Sequence, residues 1–271
     1  MIQYFAIIIS GLYFIVFLLC YAYVVLQKKK LYTIARLSVF FPLSLQLILI
    51  IVHSLNKGRA LLSSVSDVMF ILSFLIALVY IIIDMKFQKA VFGLFLLPIV
   101  IILHTLSFIS VTETRLESTV FSYPVFNFHT IFTVSGYASL LISIIVSTMY
   151  LYLIYDLKKK RFDPVFYNSP SLEILDRLAI VFQLIGIICL VMGIISGIRL
   201  TFLLWGNFPA LDPKIIITFI LLFYYVFGIV VRFLWKVSPG KLNILSVSGF
   251  IIIIFLFFAV NTLFVSRHNW G

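Results

Sequence analysis

The sequence predicts an all-α integral membrane protein, a polytopic bundle of about eight transmembrane helices with both termini outside. Of its 271 residues 63% are hydrophobic and only 11% charged, with a mean hydropathy of +1.23. Soluble domains run near half apolar and a quarter charged. The apolar residues also fall into eight runs, each near the roughly 20 residues that one bilayer crossing needs, separated by short charged or Gly/Pro-containing breaks. Runs of that length fit helices and not barrel strands. Finally, on alternate connections only Lys57, Arg59, Arg115, Arg199, Lys214 and Arg267 of the 20 Lys and Arg fall on one side. The other side is the richer one and is therefore expected to be cytoplasmic. The net charge of +11 then reads as membrane orientation, with lipid and not nucleic acid as the partner. Residues 1–271 are expected to form a single integral membrane domain, multi-pass in the cytoplasmic (inner) membrane of a cell.

Taken in order, residues 5–26 follow a neutral start and are too long for a signal-peptide core, so they are expected to remain as the first helix. Lys28, Lys29 and Lys30 end it on the cytoplasmic side. The second span, 37–55, closes beside His53, Ser54, Asn56 and Lys57, and the third, 67–83, begins at Asp67. The fourth, 90–110, carries Pro98 six residues before His104; a proline kink frees carbonyls that need donors, so His104 is expected to be structural. An outside segment, 111–128, leads to the fifth span, 129–155, which opens on His129. The cytoplasmic segment 156–177 carries a basic run from Lys158 to Arg161, an orientation signal and contact for anionic lipid. In the sixth span, 178–204, Gly186, Gly193 and Gly197 include a Gly-x-x-x-Gly step that permits close helix packing. The seventh and eighth spans are 215–235 and 243–264. Cys20 and Cys189 lie inside apolar runs with no CxxC or CxxCH, which excludes a disulfide framework and covalent haem attachment and leaves them as core residues. No GxSxG, P-loop, HExxH or paired-carboxylate motif supports soluble catalysis. A small-solute transporter is disfavoured because the mid-membrane sequence lacks a charge pair or interrupted helix pair.

All four histidines, His53, His104, His129 and His268, fall at or near the outer ends of their helices on this topology. Imidazoles from different helices converging at one depth would make a metal or haem site. Taken singly, His53, His129 and His268 are equally interfacial residues, and His104 a structural one. Between the sixth and seventh spans lies Trp205-Gly206-Asn207-Phe208-Pro209-Ala210-Leu211-Asp212-Pro213-Lys214. There Asp212 before Pro213 reads as an N-cap followed by proline at the first helical position. Trp205 and Phe208 suit the interfacial aromatic belt, and Gly206 permits a tight turn. The same loop also suits an apolar ledge for a flat macrocycle, with Arg199 or Lys214 meeting carboxylates.

On these residues the chain resembles the CcsA/ResC/CcmC-type cytochrome c assembly family, in particular its short HemX-like and YpjD-like members. The likeness runs from about His53 to the C-terminus. Gly193-Ile194-Ile195-Ser196-Gly197, then Trp205-Gly206 and Asp212-Pro213-Lys214, are similar to the family's glycine step and its haem-handling loop of approximate pattern WGxxWxWDPKE. His129 with Ser135, Tyr137 and Ala138 is similar to the family's first external histidine, Asn261 with Arg267, His268 and Gly271 to its second, and His53 to the histidine before its third span. Pro209, Leu211 and Ile215 stand where the loop has its later tryptophans and glutamate, and Arg232, Phe233 and Trp235 occupy the neighbourhood of the family's span-seven histidine. The resemblance implies haem b, bound transiently and non-covalently at the outer face. Its metal ligands would be His129 and His268, with Trp205, Gly206, Asp212, His53 and Arg199 around it. It further implies a second cytochrome c assembly membrane component as partner, and a protein that is not a complete haem lyase by itself. The alternative it implies is a HemX-like, non-catalytic regulator of tetrapyrrole biosynthesis.

Overall fold

The computed structural model describes the backbone of residues 2–57, 62, 64–109, 123–206 and 213–263; side chains at 2–6, 53, 56–57, 109, 205, 213–214 and 252–263 are not described. Among the described residues there are ten helices and no strand. They are α1 (Ile2–Leu26), α2 (Lys29–Ser38), α3 (Phe40–Lys57), α4 (Val65–Phe87), α5 (Val91–Ile109), α6 (Pro124–Lys159), α7 (Pro164–Asn168), α8 (Leu172–Trp205), α9 (Pro213–Leu234) and α10 (Pro239–Leu263). Seven stretches among the described residues are long and apolar enough to cross a bilayer, with α2 and α3 counted as one, Lys29–Val52. The protein is an all-α, polytopic membrane protein. The eighth expected span falls on α10, most of whose second half lies outside the side chains described.

The helices outrun the expected spans where polar residues cap them. α6 begins five residues before His129 and α8 six residues before Leu178. What reads as a cytoplasmic loop from 156 to 177 is therefore mostly helical. Within it, α7 is set by Asp163, whose carboxylate accepts from Phe166 N at 2.8 Å, with Pro164 at the first helical position. α2 is a separate amphipathic helix because its first residues are lysines that stay exposed while Ala35 is buried. α9 starts at Pro213, as the Asp-Pro reading expects; Asp212 itself lies outside the described residues.

The chain forms two compact units, Met1–Glu113 with Leu153–Leu172, and Thr114–Tyr152 with Glu173–Gly271. In the first, α1 packs on α2, α3, α5 and α7, and α4 packs on α5. Gly93 lets α5 approach: a Cβ there would lie 2.8 Å from Cys20 Sγ and 3.0 Å from Tyr80 Oη. Cys20 is fully buried, as expected of a core residue, and touches Tyr80 Oη at 3.6 Å. Polar cross-links fix the remaining helices. Tyr13 on α1 donates to Gln46 Oε1 on α3 at 2.8 Å, and Gln46 Nε2 donates to Ser73 Oγ on α4 at 2.8 Å. Near the lysine-bearing end, Asp84 on α4 accepts from Tyr32 Oη at 2.8 Å and faces Arg36 Nε at 3.7 Å, both on α2.

In the second unit, Leu140, Leu190, Leu221 and Tyr225 form a buried core from α6, α8 and α9. α9 and α10 are joined by Tyr224 Oη donating to Leu245 O at 3.0 Å and Tyr225 Oη donating to Ser246 O at 3.2 Å. Where the three helices meet, Asp176 on α8 accepts from Arg232 Nη2 on α9 at 2.9 Å and from Asn243 Nδ2 on α10 at 3.1 Å.

Candidate functional site

The glycines of the sixth span have a partner helix. A Cβ on Gly186 would lie 2.7 Å from Leu140 Cδ2, and one on Gly136 would lie 2.9 Å from Leu190 Cγ. A Cβ on Gly193 would lie 2.6 Å from Thr133 Oγ1, and one on Gly197 would lie 2.9 Å from both Cε1 and Nδ1 of His129. The pairs 140/186, 136/190, 133/193 and 129/197 advance by equal steps in opposite directions, so α6 and α8 are antiparallel and locked in one register. Small residues let two backbones approach this closely inside a membrane. The outermost two glycines leave a notch, and the side chains that fill it are Thr133 and the imidazole of His129.

His129 is half-buried there, and its Nδ1 lies 2.8 Å from Gly193 O. A carbonyl only accepts, so Nδ1 carries the proton. In the neutral ring the lone pair is then on Nε2. Ligating histidines are commonly oriented in this way, by a second-nitrogen hydrogen bond to a backbone carbonyl. Ser196 Oγ donates to the same carbonyl at 2.9 Å, so the anchor is itself held. About two turns along α6 from His129, Tyr137 hydrogen-bonds to Thr218 on α9.

His104 is arranged in the opposite way. It is fully buried in the first unit, with Phe70 and Phe108 ring centroids at 5.3 and 5.0 Å and Tyr13 at 6.1 Å. Its Nδ1 lies 3.4 Å from Gln46 Nε2, an amide donor already fixed by the Tyr13 bond to Oε1. Nδ1 faces that amide nitrogen and does not donate, so the neutral ring carries its proton on Nε2 and is a packed core histidine, as the sequence suggests.

Of the other residues expected at the site, the described ones, Arg199 and Gly206, are not brought to His129. Arg199 is exposed, two residues past Gly197 and so about 200° around α8 from it. Trp205 ends α8 but its side chain is outside those described, and His53 lies on α3 with its side chain likewise not described. Gly206 follows α8 with φ +68°, a left-handed conformation that favours glycine. Asp212 and His268 lie outside the described residues. Among the described residues no three His, Cys, Asp or Glu side chains gather to hold a metal ion. Sequence reading did not couple His129 to Gly197, although His129/Thr133 and Gly193/Gly197 share an i, i+4 spacing that carries the signal. It also missed that Arg232, which stands where the family has a histidine, is the partner of Asp176.

The comparisons with known proteins bear on this second unit most. The family model described as Cytochrome C assembly protein matches residues 62–268. The Cytochrome c biogenesis protein CcsA of Prochlorococcus marinus is 32% identical over 110 residues, 40% of this chain and 35% of that protein. Protein HemX of Bacillus subtilis is 21% identical over 142 residues, 52% of this chain and 51% of that protein. The matches thus span about half or less of the length of these curated relatives. No solved structure matches the chain.

Proposed function

Because the chain belongs to the cytochrome c assembly protein family, we propose that it is a haem-binding protein of the cytoplasmic membrane that presents haem b at its external face. On this reading His129 and His268 would be the two residues that hold its iron. The seat of His129 carries it: the notch left by Gly193 and Gly197 holds the ring, and the Nδ1–H bond to Gly193 O puts the lone pair on Nε2, the nitrogen an iron would take. His268 follows α10, and Trp205 at the end of α8 with Gly206 and Asp212 in the segment that leads to α9 would shelter the macrocycle edge. His53 is a further histidine that the sequence places on the outer side, while Arg199 lies about 200° around α8 from Gly197 and would meet a propionate only from the other side of that helix. Bound haem would supply the iron and a flat apolar face; the chain's part is to hold and orient it for an acceptor, alongside a second assembly component of the membrane. The visible spectrum of the purified protein after haem supplementation tests the proposal. A low-spin, bis-histidine spectrum is expected. A second reading, a non-catalytic regulator of tetrapyrrole biosynthesis, is favoured by the longer curated match being to the protein called HemX; a colourless protein after supplementation supports it and overturns the first.

A further inference from the structure

Apart from the haem reading, on which nothing here depends, the first unit gathers two basic runs at one end. Lys28, Lys29 and Lys30 lead from α1 into α2, and Lys158, Lys159, Lys160 and Arg161 close α6 just before α7. Both α2 and α7 pack on α1, and α2 does so close to where α1 ends, with the ring centroids of Tyr23 and Tyr32 5.1 Å apart. All seven cations are exposed. The acids described at this end do not balance them: Asp84 is buried and held by Tyr32 and Arg36, Asp156 is buried, and the Asp163 carboxylate caps α7.

The make-up of α2 shows what these cations face. Apart from Tyr32, its residues fall into three rows spaced i, i+4, i+7 around the helix. Leu31, Ala35 and Ser38 form the row against the protein, with Ala35 fully buried. Lys29, Thr33 and Arg36 form a polar row that reaches Asp84 through Arg36. The third row is Lys30, Ile34 and Leu37, and its two aliphatic side chains are 52% and 66% exposed. One row thus sets bare hydrocarbon a turn away from an ammonium group. The other run repeats the combination, since Phe162 beside Arg161 and Tyr167 on α7 are both exposed. A soluble acidic partner would answer the charges and leave the aliphatic row in water. An acyl chain with a phosphate above it answers both, the lysine stems lying along hydrocarbon and their ends at headgroup level. We propose that α2, the run from Lys158 to Arg161 and α7 together form a binding surface for anionic phospholipid, both basic runs contributing to the headgroups.

Full-length protein in bilayer discs of phosphatidylcholine, with and without phosphatidylglycerol, tests this. The readouts are the melting temperature and the phosphatidylglycerol retained after extraction into detergent. The unaltered chain should melt higher with phosphatidylglycerol and retain it. Lys29→Gln with Lys30→Gln, and separately Lys158→Gln with Lys159→Gln, should each weaken retention at least about fivefold, the worth of one lysine near an anionic surface. In phosphatidylcholine alone both pairs should melt like the unaltered chain, because exposed cations contribute little to stability there. Lys236→Gln with Lys241→Gln is the control, both being exposed, in the second unit and on the same side by the alternation of basic residues. An equal loss in the control pair would mean diffuse attraction of the whole basic side and overturns the proposal. So does unchanged retention in either test pair. An equal rise in melting temperature from inorganic phosphate in phosphatidylcholine discs would make a free anion the ligand and overturns it too.

Discussion

Two missing side chains give His129 its place. The ring occupies space that a Cβ at Gly197 would enter at 2.9 Å, and neither ring atom at that distance belongs to a flexible chain end. Gly197→Ala is therefore expected to displace the imidazole and to weaken a low-spin haem spectrum in the same direction as His129→Ala, with helix content unchanged by circular dichroism. Gly11→Ala is the matched comparison, because nothing lies within 4 Å of a Cβ there; an effect of Gly11→Ala equal to that of Gly197→Ala would show that the notch has no special part. His104→Ala behaves differently. Removing a fully buried ring from a cage of Tyr13, Phe70 and Phe108 should cost about 2–4 kcal/mol, read as a lower melting temperature, while the haem spectrum of the folded fraction stays the same. A changed iron spin state in His104→Ala would reverse these assignments. The sequence marks His129 and the glycines as separate features. Their meeting depends on the register of two helices 64 residues apart at that contact, which no local pattern encodes.

Among the elements, the spans are legible because each is a continuous apolar run. Their ends are less so. α6 and α8 extend beyond the expected limits through residues such as Asn127, Lys158 and Glu173, whose polarity suggests loop but which a helix tolerates outside the hydrocarbon. Interhelical polar bonds were the other blind spot, since Asp176, Arg232 and Asn243 are separated by 56 and 67 residues from their partners. The Asp176–Arg232 pair is partly shielded, with side-chain exposures of 12% and 20%. Arg232→Met strands the Asp176 carboxylate and is expected to cost roughly 3–5 kcal/mol, whereas pairing it with Asp176→Asn should recover much of that loss. Thermal denaturation of the single and double variants in detergent measures the difference. Equal destabilisation in both would mean that the ion pair is not what joins α8 to α9.

For the whole molecule, composition and charge asymmetry suffice to predict a polytopic helical protein, but not its division into two units. Each unit follows a similar internal scheme. A buried glutamine sits on its second crossing helix, Gln46 or Gln183, and a carboxylate–arginine pair ties the second to the third, Arg36 with Asp84 or Asp176 with Arg232. The charges are exchanged between the two pairs, so no residue-by-residue repeat is visible in the chain. The orientation expected from the basic residues is checked by reporter tags: those at Met1 and Gly271 should read outside and one beside Lys159 should read cytoplasmic. A cytoplasmic reading at Gly271 would take His268 away from His129.

At 1.5 Å per residue, the 36 residues of α6 and the 34 of α8 measure about 54 and about 51 Å. A bilayer's hydrocarbon layer is only about 30 Å deep. The two helices must therefore lean, protrude or stretch the lipid around them. Since the glycine register binds them over four successive contacts, they lean together as a single plank. Acyl-chain length then sets the height of the plank's outer end above the phosphates, and membrane thickness becomes a control on how wet the His129 ring is.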